Sequence, residues 1–170
     1  MLVLPKKIGF GLSDQMMKIN LAILSTSLSL TVASQGMAET PLDLADQIIA
    51  KAQQSCVSDG GQFSVSEGVL QVHEFVTSNG VEELVIVDGQ GFECSLGKSY
   101  YQGSAGATVH LITTDDHKYG HARGFNIVTA ANDIPVILML LHGTSCNAAG
   151  YYPCIQAVAV FDGKLLTTTQ

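Results

Sequence analysis

Positive charge is scarce in this chain: eight lysines and arginines among 170 residues, against fifteen acidic ones. Beyond residue 38 only Lys51, Lys98, Lys118, Arg123 and Lys164 remain, facing fourteen acidic residues, for a formal charge of −9. Such a surface repels phosphate backbones and anionic lipid, which excludes nucleic acid as a partner and leaves a small molecule or a basic protein. Beyond residue 38 the chain also lacks any apolar run near the roughly 20 residues that a bilayer span requires, so no integral membrane segment is expected there. There is no low-complexity tract and no usable internal repeat. Helical patterns do not alternate with strand patterns, which argues against a parallel α/β sheet.

The first 38 residues have a different character. MKINLAILSTSLSLTVASQGMA, from Met17 to Ala38, has a lysine at Lys18, an apolar run from Leu21 to Ala33, and small residues Gly36 and Ala38 before Glu39. That is the layout of a secretory signal peptide. The run is broken by five hydroxyl residues and falls short of a membrane anchor. We expect residues 1–38 to be leader, with 1–16 upstream of the true start, and residues 39–170 to form one secreted domain of 132 residues, long enough for a single hydrophobic core.

In that domain TPLD, residues 40–43, reads as a helix start: Thr40 as N-cap, Pro41 at the first helical position and Asp43 where a capping box places its acid. Ala45, Ile48, Ile49, Ala52 and Cys56 recur at helical spacing, predicting one amphipathic helix over about 42–56, stopped by Asp59-Gly60-Gly61. Short β-type runs follow at 62–65, 69–75, 83–87, 109–113, 124–130, 136–141, 155–161 and 164–168. The last two flank Asp162-Gly163, a dipeptide suited to a two-residue hairpin turn. The fold expected is mainly β (α+β): an N-terminal helix, then an antiparallel β-rich domain. Residues 97–107, with three glycines and paired tyrosines, read as the flexible interior segment.

All four cysteines, Cys56, Cys94, Cys146 and Cys154, lie in this domain, and an even count in an exported chain points to disulfides. Three pairings are possible. Cys146 with Cys154 closes a short loop that Gly150 and Pro153 can turn, and Cys56 with Cys94 ties the helix to the first sheet segments; this is the pairing favoured. The same loop, HGTSCNAAGYYPC, sets His142 four residues before Cys146, as a cysteine nucleophile would need, but an exported thiol beside a second cysteine is normally oxidised. Its spacing fits no common zinc pattern.

Other candidate chemistry is sparse. His117 and His121 have an H-x3-H spacing beside Asp115 and Asp116, but their glycines place them on a hairpin connection, where a solvated polar turn is the commoner outcome. His73 and His110 read as satisfied sheet residues. Ser104 and Ser145 sit in no G-x-S-x-G elbow and read as turn residues. Asp88 and Glu93 flank a turn and read as solvated carboxylates.

SCVSDGGQF, VTSNGVEELVIVDGQGFECS, YYQGSAGATVHLI and HGTSCNAAGYYPC together resemble small secreted or periplasmic proteins of uncharacterised function from alphaproteobacteria, over about residues 53–161. In such relatives the region matching Val76 to Val85 looks like the acidic loop of FG-GAP-type calcium modules. With Gly80 as the fixed glycine, its ligand positions fall here on Phe75, Thr77, Asn79 and Glu83. Only Asn79 and Glu83 are good oxygen donors, so the resemblance implies a degenerate loop that keeps its turn and loses its charge. Where those relatives carry a C-G-x-G-G-C element, this chain has QGSAGA, residues 102–107. Loss of both cysteines together is what loss of one whole bridge looks like, and it supports the pairing above.

These features favour a non-enzymatic exported domain that binds a protein or small ligand through the constrained loop, with His142, Tyr151 and Tyr152 as the contact, and with no cofactor implied. The competing readings are a metal-dependent hydrolase built on His117 and His121, and a structural envelope component.

Overall fold

The computed structural model describes residues 39–77 and 80–167. Helix α1 (Pro41–Ser58) starts as its cap predicts: the Thr40 hydroxyl accepts from the Asp43 backbone N–H at 3.1 Å, while the Asp43 carboxylate accepts from the Thr40 N–H at 3.0 Å. The Thr40 hydroxyl also donates to that carboxylate at 2.7 Å, and this bond first, then the one from the Thr40 N–H, holds the Asp43 carboxyl below its usual pKa. Eleven strands follow: β1 (Phe63–Val65), β2 (Leu70–Thr77), β3 (Gly80–Asp88), β4 (Phe92–Cys94), β5 (Gln102–Gly103), β6 (Gly106–Ile112), β7 (His117–Ala122), β8 (Gly124–Thr129), β9 (Pro135–Leu141), β10 (Cys154–Phe161) and β11 (Lys164–Thr167). Among the described residues every strand pair is antiparallel.

β1 and β4 form a small ribbon. The first large sheet runs β2-β3-β6, with β5 and β7 also paired to β6; the second runs β11-β10-β9-β8. The chain passes between the large sheets at Arg123, the single residue separating β7 from β8, whose backbone N–H donates to the Leu140 carbonyl of β9 at 2.7 Å. The expected β10–β11 hairpin forms, with Asp162 at φ 45° and Gly163 at φ 70°, the two positive values that such a turn demands.

Three layers result. Leu84 and Ile86 of β3 join Val109 and Leu111 of β6 in a core shared with Ile137, Met139, Val158 and Val160 of the second sheet. Val85 and Val87 of β3 point the other way, into a second core with Ile112, Phe92 and the helix residues Ala45, Ile48 and Ile49. β3 is therefore buried on both faces, which is why LVIV reads as an unbroken apolar run instead of alternating. Each such aliphatic side chain contributes about 1.5–3 kcal/mol on burial.

The two disulfides are Cys56–Cys94, with Cα atoms 5.9 Å apart, and Cys146–Cys154, at 6.0 Å. The first fastens the end of α1 to β4; the second closes the loop between β9 and β10. A Cβ on Gly61 would fall 2.5 Å from the Cys94 sulfur and 2.7 Å from that of Cys56, so only glycine lets the chain pass the first bridge.

Three expectations are corrected. The segment at 97–107 is not a free loop. Tyr101 donates from Oη to the Ala52 carbonyl of α1 at 2.5 Å and packs edge-on against Phe63 and Phe92, and Tyr100 donates to the Asp59 carboxylate at 2.6 Å. Residues 117–122 are a strand, not a turn, because pairing with β6 supplies the ladder that a Gly-rich polar sequence does not advertise. His73 is not fully satisfied: its Nε2 is buried with no hydrogen-bond partner among the described residues.

Candidate functional site

Two surfaces carry the residues singled out above. The first is the loop between β9 and β10. A 3-10 turn over Gly143–Cys146 opens it, and Asn147 in the left-handed conformation ends that turn. The Ala148 N–H donates to the Gly143 carbonyl at 2.9 Å and the Gly143 N–H to the Gly150 carbonyl at 3.4 Å. Bonds inside the loop and the Cys146–Cys154 bridge thus set its path, and Tyr151 and Tyr152 are left on the outside. Tyr151 is 76% exposed and Tyr152 51%, with ring centroids 4.5 Å apart. Their mutual hydrogen bond raises the Tyr151 pKa above the ordinary phenol value.

His142, placed with the tyrosines by the sequence, has a different part. It is half-buried, its Nδ1 shares a hydrogen bond with the Thr144 hydroxyl at 2.8 Å, and its ring lies over Gly150, where a Cβ would collide with it. It shapes the loop from inside. Sequence reasoning missed Arg123: its guanidinium donates to the Ser104 carbonyl at 3.0 and 2.9 Å and to the Gly150 carbonyl at 3.2 Å, anchoring the bridged loop to the β5–β6 turn. A single arginine between two strand-like runs gives no local sign of this.

β9 and β10 carry the second half of the same surface. Their register sends Ile137, Met139, Val158 and Val160 inward, and so turns Leu138, Leu140, Ile155 and Phe161 outward. Leu140, Ile155 at 57% and Phe161 at 51% are exposed, as are Val128 of β8 and Leu166 of β11. The bridged loop therefore stands at the end of a strand pair whose outer face is apolar, contiguous in the chain with Ile155.

The second surface lies on the helix side of the first sheet. An open groove of about 1040 Å³ runs between α1 and β6–β7, lined by Ile48, Lys51, His110, His117, Tyr119 and His121. A smaller cleft of about 630 Å³ lies across β7, against Met139, Gln156 and Val158. His117 and His121 sit at opposite ends of β7, about 13 Å apart by the strand rise, so they do not converge on each other. His117 instead meets His110, Nε2 to Nδ1 at 3.1 Å, with the rings stacked at 5.3 Å. Burial, then the neighbouring His117, pushes His110 down to about 4, leaving it uncharged at neutral pH.

The remaining candidates stay apart. Asp88 caps the turn after β3, its carboxylate accepting from the Gln90 N–H at 3.0 Å, while Glu93 faces Ser64 across β1–β4. Ser145 lies in the 3-10 turn, and Ser104 lends only its carbonyl, to Arg123. Of the calcium-like loop, Phe75 is buried in the inter-sheet core, Glu83 stands opposite Glu74 in the β2–β3 ladder, and Asn79 lies outside the described residues. Among the described residues no three His, Cys, Asp or Glu side chains gather as a metal centre, and no helix is long and apolar enough to cross a membrane. No family model, no curated protein and no solved structure matches the chain.

Proposed function

We propose that this chain is an exported, non-enzymatic binding domain that holds a protein partner through the bridged loop and the apolar strand face behind it. The observation that carries the reading is the adjoining pair Tyr151 and Tyr152, exposed on a loop fixed by a disulfide and by Arg123. Tyrosine presents large apolar area with few rotamers to lose, and a closed loop removes part of the ordering cost of association. The exposed Leu140, Ile155 and Phe161 extend the contact beyond what a small ligand needs. The acid-rich composition favours a basic partner, steering encounter and leaving the apolar centre to hold the complex. Two disulfides are consistent with an oxidising compartment.

A photo-crosslinking residue placed at Tyr152, in protein expressed with its leader in a bacterium, tests this. One discrete adduct with a second protein is expected, absent when the same residue replaces Val57, an exposed position on α1. In the double variant Tyr151→Ala, Tyr152→Ala the complex should weaken by at least about tenfold with the melting temperature held, since such anchors carry ~1–2 kcal/mol each or more. Equal adducts from both positions, or unchanged capture by the double variant, would overturn the assignment.

A further inference from the structure

The histidine groove carries a separate inference, independent of the protein-binding reading. His110 of β6 stands opposite Tyr119 of β7, and His117 opposite Ile112, so the two histidines are diagonal neighbours on the face turned to α1. Their facing nitrogens, Nδ1 of His110 and Nε2 of His117, are 3.1 Å apart. Two imidazole nitrogens sharing one ion at about 2.0–2.1 Å, with an angle between square and tetrahedral, stand about 2.8–3.4 Å from each other. The strand pair thus holds two ligands at the separation of a metal bite. His117 is exposed on β7, so solvent reaches the pair from that side.

We propose that His110 and His117 form a two-histidine binding site for a divalent transition-metal ion, Cu²⁺ most tightly, with the other coordination positions open to water. Imidazole pairs select ions of borderline softness over Mg²⁺ and Ca²⁺, and among divalent first-row ions copper stands at the top of the affinity order. His117 is the residue the H-x3-H spacing drew attention to; its ligating partner is His110, across the ladder, and not His121.

Cu²⁺ titrated into the disulfide-bonded protein at neutral pH, in competition with a chromophoric chelator and followed by electron paramagnetic resonance, decides the matter. One ion per chain is expected, with hyperfine splitting from two imidazole nitrogens. Affinity should fall by about tenfold or more in His110→Gln and in His117→Gln, and stay at the wild-type value in His121→Gln. Wild-type affinity in His117→Gln, or an equal loss in His121→Gln, would overturn the site. His117 is exposed, so its variant carries the test even if His110→Gln does not fold.

Discussion

Arg123 shows how much one side chain can organise. It is the only residue between β7 and β8, its backbone starts the pairing with β9, and its guanidinium ties the 143–153 loop to the β5–β6 turn. Replacing it with methionine keeps the apolar stem and removes the donors. The expected cost is about 1–2 kcal/mol, at the low end for charge-assisted bonds because these are exposed. Hydrogen exchange should show Ala148, Gly143 and Tyr152 amides opening faster while β3 amides keep their protection; uniform loss across the domain would mean that the arginine supports the whole fold instead. Gly61 is a second such position. Gly61→Ala forces a Cβ against both sulfurs of Cys56–Cys94, and the bridge is expected to become easier to reduce, read as a shift in a dithiothreitol titration that Gly103→Ala does not reproduce, since a Cβ there meets open space.

Among the elements, the two bridges differ in what they constrain. Cys56–Cys94 closes a separation of 38 residues and Cys146–Cys154 one of 8. Chain-entropy bookkeeping puts these at about 4 and about 2.5 kcal/mol. The double variant Cys56→Ala, Cys94→Ala should therefore lower stability in urea more than Cys146→Ala, Cys154→Ala does, while the second should harm partner capture more. The segment carrying Tyr100 and Tyr101 gives a pH test. The hydrogen bond to the Asp59 carboxylate holds the Tyr100 phenol up to about 12. In the unfolded chain that phenol ionises near 10, so between pH 10 and 12 the unfolded state holds fewer protons and stability falls as pH rises. Absorbance titration should lose its latest phenol in Tyr100→Phe and show it moved down in Asp59→Asn, while the raised phenols of Tyr101 and Tyr151 remain; an unchanged late end of the titration in Tyr100→Phe would disprove the assignment.

For the molecule as a whole, β3 decides cooperativity. Its successive residues feed two cores, Leu84 and Ile86 into the inter-sheet core and Val85 and Val87 into the helix-side core. Neither core can open without disturbing the strand that serves the other. Ile86→Ala should cost about 2–5 kcal/mol, Val85→Ala somewhat less, and both should lower one shared calorimetric transition. Two separated transitions in either variant would show that the layers unfold independently.

What could be read in the sequence alone was what short-range chemistry specifies. The helix start at Thr40, Pro41 and Asp43, the Asp162-Gly163 turn, the β-rich antiparallel class and the pairing of the four cysteines all follow from local preference or from simple chain closure, and all stand in the structure. Tertiary structure decided the rest. β7 is a strand because β6 offers it a ladder, His117 faces His110 because antiparallel register brings positions seven residues apart side by side, and His142 turns inward because Gly150 leaves room for its ring. Tyr100 and Tyr101 order a glycine-rich segment by bonding to groups more than 40 residues away. Such contacts depend on which faces the two sheets and the helix bury, and burial belongs to the packed molecule, not to any stretch of its chain.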